Sequence, residues 1–259
     1  MEAFGKLLDI MDRLRKECPW DREQTFESIR NLTIEETYEL SDAIVRSEKK
    51  HIKKELGDLL LHIVFYSKIA SETGDFDIGD VCEAIAEKLI YRHPHVFGDI
   101  DVKGDPENVK KNWEELKLKE GNDSVLGGVP AGLPAMIKAS RIQEKAKAVG
   151  FDWEEKEQVW DKINEELDEL KAEIKNMDVK KTEEEFGDLI FSVINAARLY
   201  KIDPENALEL TNRKFISRFG YLESKTLKKG RKLRTMSLDE MNEIWEESKK
   251  NKKSSFKNI

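Results

Sequence analysis

Two short acidic segments carry the chemistry of this chain, Glu165-Glu166-Leu167-Asp168-Glu169 and Glu185-Phe186-Gly187-Asp188. On a helix, Glu166 and Glu169 stand three apart and share one face, and Glu185 and Asp188 do the same. The polar stretch 175–181 between them reads as the turn of an antiparallel helix pair, which gathers four carboxylates when it closes. Two like charges about 4 Å apart repel by roughly 4 kcal/mol even at an effective dielectric near 20, so a bare cluster of four would push its helices apart. A divalent cation removes that repulsion. Oxygen ligands with no His or Cys among them point to a hard ion, Mg2+ with Mn2+ as the alternative, rather than zinc.

The same constellation occurs 130 residues earlier, as Glu35-Glu36-Thr37-Tyr38-Glu39 followed by Glu55-Leu56-Gly57-Asp58. Segments 35–59 and 165–189 are identical at 10 of 25 aligned positions, where ordinary composition gives about one or two. The chain is a tandem duplication. The repeat also decides whether the acids are mere helix caps. Thr182…Glu185 and Thr33…Glu36 each have the spacing of a capping box, but Glu55 and Glu166 have no Ser or Thr three residues before them. Both copies keep the acid where only one keeps the cap, so capping is not the shared reason. A ferritin-like di-iron site fails as well, because it needs Glu-x-x-His where this chain has Glu55…Asp58 and Glu185…Asp188.

The elements that must hold these acids are helical. Apolar residues recur every three or four positions over 3–17, and Pro19 ends that stretch. Helices are expected over about 24–47 and 53–71, the latter apolar nearly all round and so expected to be buried. Gly57 and Gly187 lie inside helices at about 1 kcal/mol relative to Ala, which predicts close approach by a neighbouring helix or a ligand. Asp77 and Asp203 are expected to cap the helices that follow them, 79–93 in the first copy. Further helices are expected from Asp105-Pro106 to about 120, over 134–149 and over 238–249. The expected organisation is all-α: a first domain 1–120, a linker 121–134 rich in helix breakers, a second domain 135–249, and a basic, disordered tail 250–259.

Composition narrows the function. Charged residues make up 38% of the chain and the net charge is −8, which speaks against a general nucleic-acid binder. The longest apolar run, Leu59–Tyr66, is broken by His62 and too short to span a membrane. Cys18 and Cys82 show no metal spacing, and a cytoplasmic location is expected. Lys88/Arg92 and Lys214/Arg218 recur at an offset of 126 and are either a solvated stripe or phosphate clamps beside a metal centre. Trp113 and Trp245 are either core residues or faces on which a base stacks. His93-Pro94-His95 is wrongly spaced for helical metal ligands and reads as a loop or substrate contact.

Glu-Glu-x-x-Glu followed, after a short hairpin, by Glu-x-x-Asp resembles the signature of the MazG nucleoside triphosphate pyrophosphohydrolases, relatives of the all-α dimeric dUTPases. The resemblance extends through Tyr91-Arg92-His93-Pro94-His95-Val96-Phe97 and Trp113-Glu114-Glu115, and the tandem arrangement is similar to the two-domain bacterial form. It implies a tandem pair of MazG-like helical bundles, a homodimer, and Mg2+-dependent hydrolysis of a nucleoside triphosphate to the monophosphate and diphosphate, clearing standard or aberrant nucleotides. It further implies that Glu166, Glu169, Glu185 and Asp188 are metal ligands, with Glu36, Glu39, Glu55 and Asp58 as first-copy equivalents. Lys181, Lys214 and Arg218 would hold phosphates and Trp245 the base, with Lys88, Arg92 and Trp113 in the corresponding first-copy places. Glu165, and Glu35 in the first copy, is the adjacent acid expected to take a proton from the attacking water. His51 stands where the second copy has Lys181, which favours the second copy as the working one. The alternative reading is a nucleotide-sensing or partner-binding helical module without turnover.

Overall fold

The computed structural model describes residues 2–100, 105, 109, 113, 116, 124–228 and 230–250. Among them every regular element is a helix, and the chain divides into two compact units, Met1–Leu116 and Lys117–Ile259.

The first unit contains α1 (Glu2–Glu17), α2 (Pro19–Glu23), α3 (Phe26–Val45), α4 (Lys49–Thr73), α5 (Ile78–Arg92) and α6 (Pro94–Phe97). Cys18 takes an extended conformation ahead of Pro19, which sits where a helix loses nothing by lacking an N–H, so α1 stops and α2 starts at once. Thr25 and Ser28 cap α3 reciprocally, and Asp77 and Asp80 cap α5 the same way. Met11 of α1, Ile29 of α3, and Val64 and Phe65 of α4 form the core. Arg15 locks α1 against α4: it pairs with Glu72, donates to the carbonyl oxygens of Asp21 and Gln24, and lies over the Phe65 ring.

The second unit contains α7 (Ala135–Ala148), α8 (Gln158–Asn176), α9 (Val179–Leu199), α10 (Pro204–Lys228), a 3-10 turn (Leu233–Thr235) and α11 (Leu238–Lys250). Val159, Leu170, Ile194, Leu222 and Ile244 are its largest buried apolar residues. Asp203 accepts from the Asn206 N–H and caps α10, as its position before Pro204 predicts. Arg198 at the end of α9 binds Asp152 and Asn195 and ties down the loop that leads into α8.

The turn between α8 and α9 is tighter than the expected 175–181. Lys175 and Asn176 continue α8, Met177 reverses the chain in the left-handed region (φ 57°), and Asp178 caps α9 by accepting from the Lys181 N–H. Ser47, 130 residues earlier, has the same φ of 57° between α3 and α4, so the duplication preserves the turn as well as the acids.

Two expectations are corrected. The helix containing 53–71 is not buried all round: Glu55, His62, Val64 and Phe65 face inward, while Leu56, Leu60 and Ile63 are 54%, 39% and 46% exposed. In the second unit Phe186, Ile190 and Val193 of α9 are exposed likewise. A helix apolar on every side needs a partner on each, and among the described residues only one side of these helices is covered. A Cβ built at Gly57 or Gly187 meets nothing within 4 Å, so no helix among the described residues makes the close approach expected there. Of the helix expected over 105–120, only Val109, Trp113 and Leu116 are described as helical, and the expected tail beyond Lys250 lies outside the described residues.

Candidate metal centre and nucleotide site

Each helix hairpin gathers acids. Pairing of α8 with α9 brings one carboxylate oxygen each of Glu166, Glu185 and Asp188 within 4.8 Å of one another. Pairing of α3 with α4 does the same for Glu36, Glu39 and Glu55. The fourth acid of each set lies beside its three. Burial first, then the charges of Glu169, Asp188 and Glu166, raise the Glu185 carboxyl above its ordinary range. Burial first, then Asp58, Glu39 and Glu55, raise Glu36 in the same way.

Neither acid is a cap. Thr182 lies inside α9 and donates its hydroxyl to the Asp178 carbonyl, while Thr33 lies inside α3, donates to the Ile29 carbonyl and meets the Tyr66 hydroxyl. Glu36 Oε2 and Glu185 Oε2 are buried with no hydrogen-bond partner. A buried acceptor without a donor calls for a missing ligand. The donor set is carboxylate oxygen only, drawn from two helices, which suits a hard divalent cation. The residues present therefore fit Mg2+ or Mn2+.

Two residues of these sites were not singled out as ligand partners by spacing alone. Lys162 Nζ lies 2.8 Å from Glu166 and 2.9 Å from Glu165. Lys54 Nζ lies 3.0 Å from Glu55, 3.4 Å from Asp58 and 4.0 Å from Glu39. Hydrogen bonding to Glu166, then to Glu165, raises Lys162 above the ordinary lysine range, and Glu55 raises Lys54. The available signal was helical spacing: Lys162 is four before Glu166 and Lys54 four before Asp58. Glu165 and Glu35 are exposed, outside the close triads.

The candidate nucleotide contacts fall into two groups. Arg218 lies over the Trp245 ring with its guanidinium carbon 5.9 Å from the ring centre, and Phe215 packs against the same ring at 5.1 Å. Arg218 and Trp245 are thus brought together on α10 and α11, with Lys214 exposed on α10. Lys181 is exposed in the first turn of α9. In the first unit Trp113 faces His93 at 6.3 Å, His93 faces His95 at 5.6 Å, and His93 Nδ1–H donates to the Leu89 carbonyl. Lys88 is exposed and Arg92 half-buried at the end of α5.

Comparison with known proteins agrees with the internal repeat. Residues 24–97 and 154–221 each match the MazG nucleotide pyrophosphohydrolase domain. The chain is 45% identical, over 95% of its own length and 95% of the relative's, to the nucleoside triphosphate pyrophosphohydrolase/pyrophosphatase MazG of Thermotoga maritima. It is 42% identical to the nucleoside triphosphate pyrophosphohydrolase of Escherichia coli K12, covering 96% of this chain and 98% of that protein. A Bacillus subtilis protein, YabN, is 43% identical over 97% of this chain, which spans 53% of its length.

Proposed function

This chain belongs to the MazG nucleotide pyrophosphohydrolase family, and we propose that its carboxylate clusters hold divalent metal, Mg2+ or Mn2+, for the hydrolysis of nucleoside triphosphates to monophosphate and diphosphate. The observation that carries the metal reading is the buried, unpartnered oxygen in each cluster, Glu185 Oε2 and Glu36 Oε2, beside further carboxylates. Glu166, Glu169, Glu185 and Asp188 are the second-copy ligands in this reading, and Glu36, Glu39, Glu55 and Asp58 those of the first. When bound, the cation neutralises phosphate charge that the carboxylates would otherwise repel.

The chain's own residues do the rest. Lys181, Lys214 and Arg218 supply counter-charge to the phosphates. Trp245, backed by Phe215, offers an aromatic face to the base. Glu165 takes the proton of the attacking water as an oxygen–phosphorus bond forms at the α-phosphorus and the bond to the bridging oxygen breaks, releasing diphosphate. Lys162, bound to both Glu165 and Glu166, fixes the acid against the cluster. The second copy turns over in this reading; in the first, His51 occupies the place of Lys181 and pairs with Glu48.

Exposed apolar faces on α4 and α9 support a homodimer in which a second chain covers Leu56, Leu60, Ile63, Phe186, Ile190 and Val193. No helix among the described residues is long and apolar enough to cross a membrane. Free Cys18 and Cys82 suit the cytoplasm.

The test is a product assay on the full chain with Mg2+ across a panel of nucleoside triphosphates. Diphosphate and monophosphate are the expected products, with turnover lost in Asp188→Asn while the helical circular dichroism is retained. Orthophosphate as the first product would overturn the reaction, and nucleotide binding without turnover across the panel would instead favour a sensing module.

A further inference from the structure

The two acidic clusters are neutralised from opposite sides. In the first copy the ammonium of Lys54 reaches acids on both helices of the hairpin: Glu39 on α3, and Glu55 and Asp58 on α4. Three of the four assigned ligands therefore already share one cation, and the fourth, Glu36, is the one with an orphaned oxygen. In the second copy the position aligned with Lys54 is Glu184, and no ammonium bridges α8 and α9 among the described ion pairs of Glu166, Glu169, Glu185 and Asp188. Among the described residues Lys162 pairs with Glu166 and Glu165, both on its own helix. Its aligned position in the first copy is Leu32.

We propose that Lys54 is a resident counter-cation occupying the first cluster, so that divalent metal must displace it there, and that the second copy consequently fills with metal at lower concentration than the first. This rests on the metal reading above and adds to it the residue that sets the difference. A monovalent ammonium with three donors satisfies the same oxygens a divalent ion would use, but with half the charge. Its side chain is 60% exposed, so water screens its pairs and lets it swing away. Lys54 accordingly weakens metal binding and does not abolish it. In the first copy the chain itself supplies a cation between the acids of the two helices.

The experiment is Mn2+ binding to the full-length protein, read by calorimetry and by the electron paramagnetic resonance signal of free Mn2+. Asp188→Asn disables the second cluster and leaves the first to be measured; Glu55→Gln does the reverse. Lys54→Met on the Asp188→Asn background is expected to tighten first-copy binding at least fivefold, and Lys54→Arg to leave it near the parent value. On the Glu55→Gln background, second-copy binding is expected to be tighter than first-copy binding and indifferent to Lys54→Met. Lys54→Gln, which removes the charge but keeps a polar end, replaces Lys54→Met if circular dichroism shows that the methionine variant misfolds. First-copy affinity that stays the same or falls when the ammonium is removed would overturn the proposal while leaving the metal reading intact. Absence of Mn2+ binding at either copy of the unmodified protein would overturn both.

Discussion

Replacing Glu36 by glutamine tests whether the acids are held together against their own repulsion. Carboxylate oxygens of Glu36, Glu39 and Glu55 lie within 4.8 Å of one another. At that separation each pair repels by about 3.5 kcal/mol at an effective dielectric near 20, or about 7 kcal/mol for the two pairs that involve Glu36. Most of this is offset. Lys54 contacts Glu39 and Glu55, and Glu36 is only half-buried, so water screens what remains. A net gain of about 1 kcal/mol on removing the Glu36 charge is the expected result in metal-free protein, or about 4 °C in the melting temperature of a unit this size. The gain must also depend on pH. Burial and three neighbouring acids raise the Glu36 carboxyl in the folded state, so the folded protein holds that proton more tightly than the unfolded chain. Its contribution to stability is therefore fully present below the unfolded pKa and is lost as pH rises through the folded one. The glutamine amide has no such proton to lose, so the variant should gain on the unmodified protein at pH 8 and match it as pH falls toward 4. Saturating Mg2+ should reverse the order, since a ligand at 100 times its dissociation constant adds about 2.7 kcal/mol to the protein that binds it. Unfolding followed by circular dichroism in a chelator and then in Mg2+, at both pH values, decides the matter. A Glu36→Gln variant less stable than its parent in chelator at pH 8 would refute the reasoning, because Glu36 would then be making a favourable contact without metal.

Two further outcomes follow from the same geometry. Trp245→Ala and Arg218→Met should each raise KM for a nucleoside triphosphate about tenfold, the equivalent of roughly 1–2 kcal/mol of stacking and cation–π contact; an unchanged KM in steady-state kinetics would remove both from the nucleotide site. The proposed homodimer predicts that the unmodified protein sediments as a dimer and that Leu60→Glu combined with Ile190→Glu, which places charge in two exposed apolar faces, sediments as a monomer; an unchanged mass would show that those faces are not an interface.

The fold was largely legible because its signals are local. Pro19, Asp77 and Asp203 mark helix boundaries through backbone chemistry that acts within a few residues. The acids were legible through repetition, which separated them from the many surface carboxylates of an acidic chain. What escaped was long-range or conformational. The tight turn at Met177 depends on a non-glycine residue in the left-handed region, for which the sequence offers little warning. The exposed side of α4 and α9 cannot be told from a buried one by periodicity, since both are apolar and the difference lies in what covers them. Lys54 and Lys162 stand at helical spacing from acids in the sequence, but which oxygens they reach is fixed only once the hairpins close.

Alignment of the two copies shows how those lysines were distributed. Glu55 is held by Lys54, and its aligned partner Glu185 carries the orphaned oxygen. Glu166 is held by Lys162, and its aligned partner Glu36 carries the other orphan. Each hairpin thus neutralises one of its two inward acids from within the chain and leaves the other wanting a cation, but the choice is inverted between copies. Repulsion between the helices would be relieved equally well by a lysine on either side, so folding alone does not explain the inversion. The two arrangements differ in reach: Lys54 pairs with acids on both helices of its hairpin, whereas Lys162 pairs with acids of its own helix. The copy whose lysine stays on its own helix also sets Arg218, Phe215 and Trp245 together on α10 and α11.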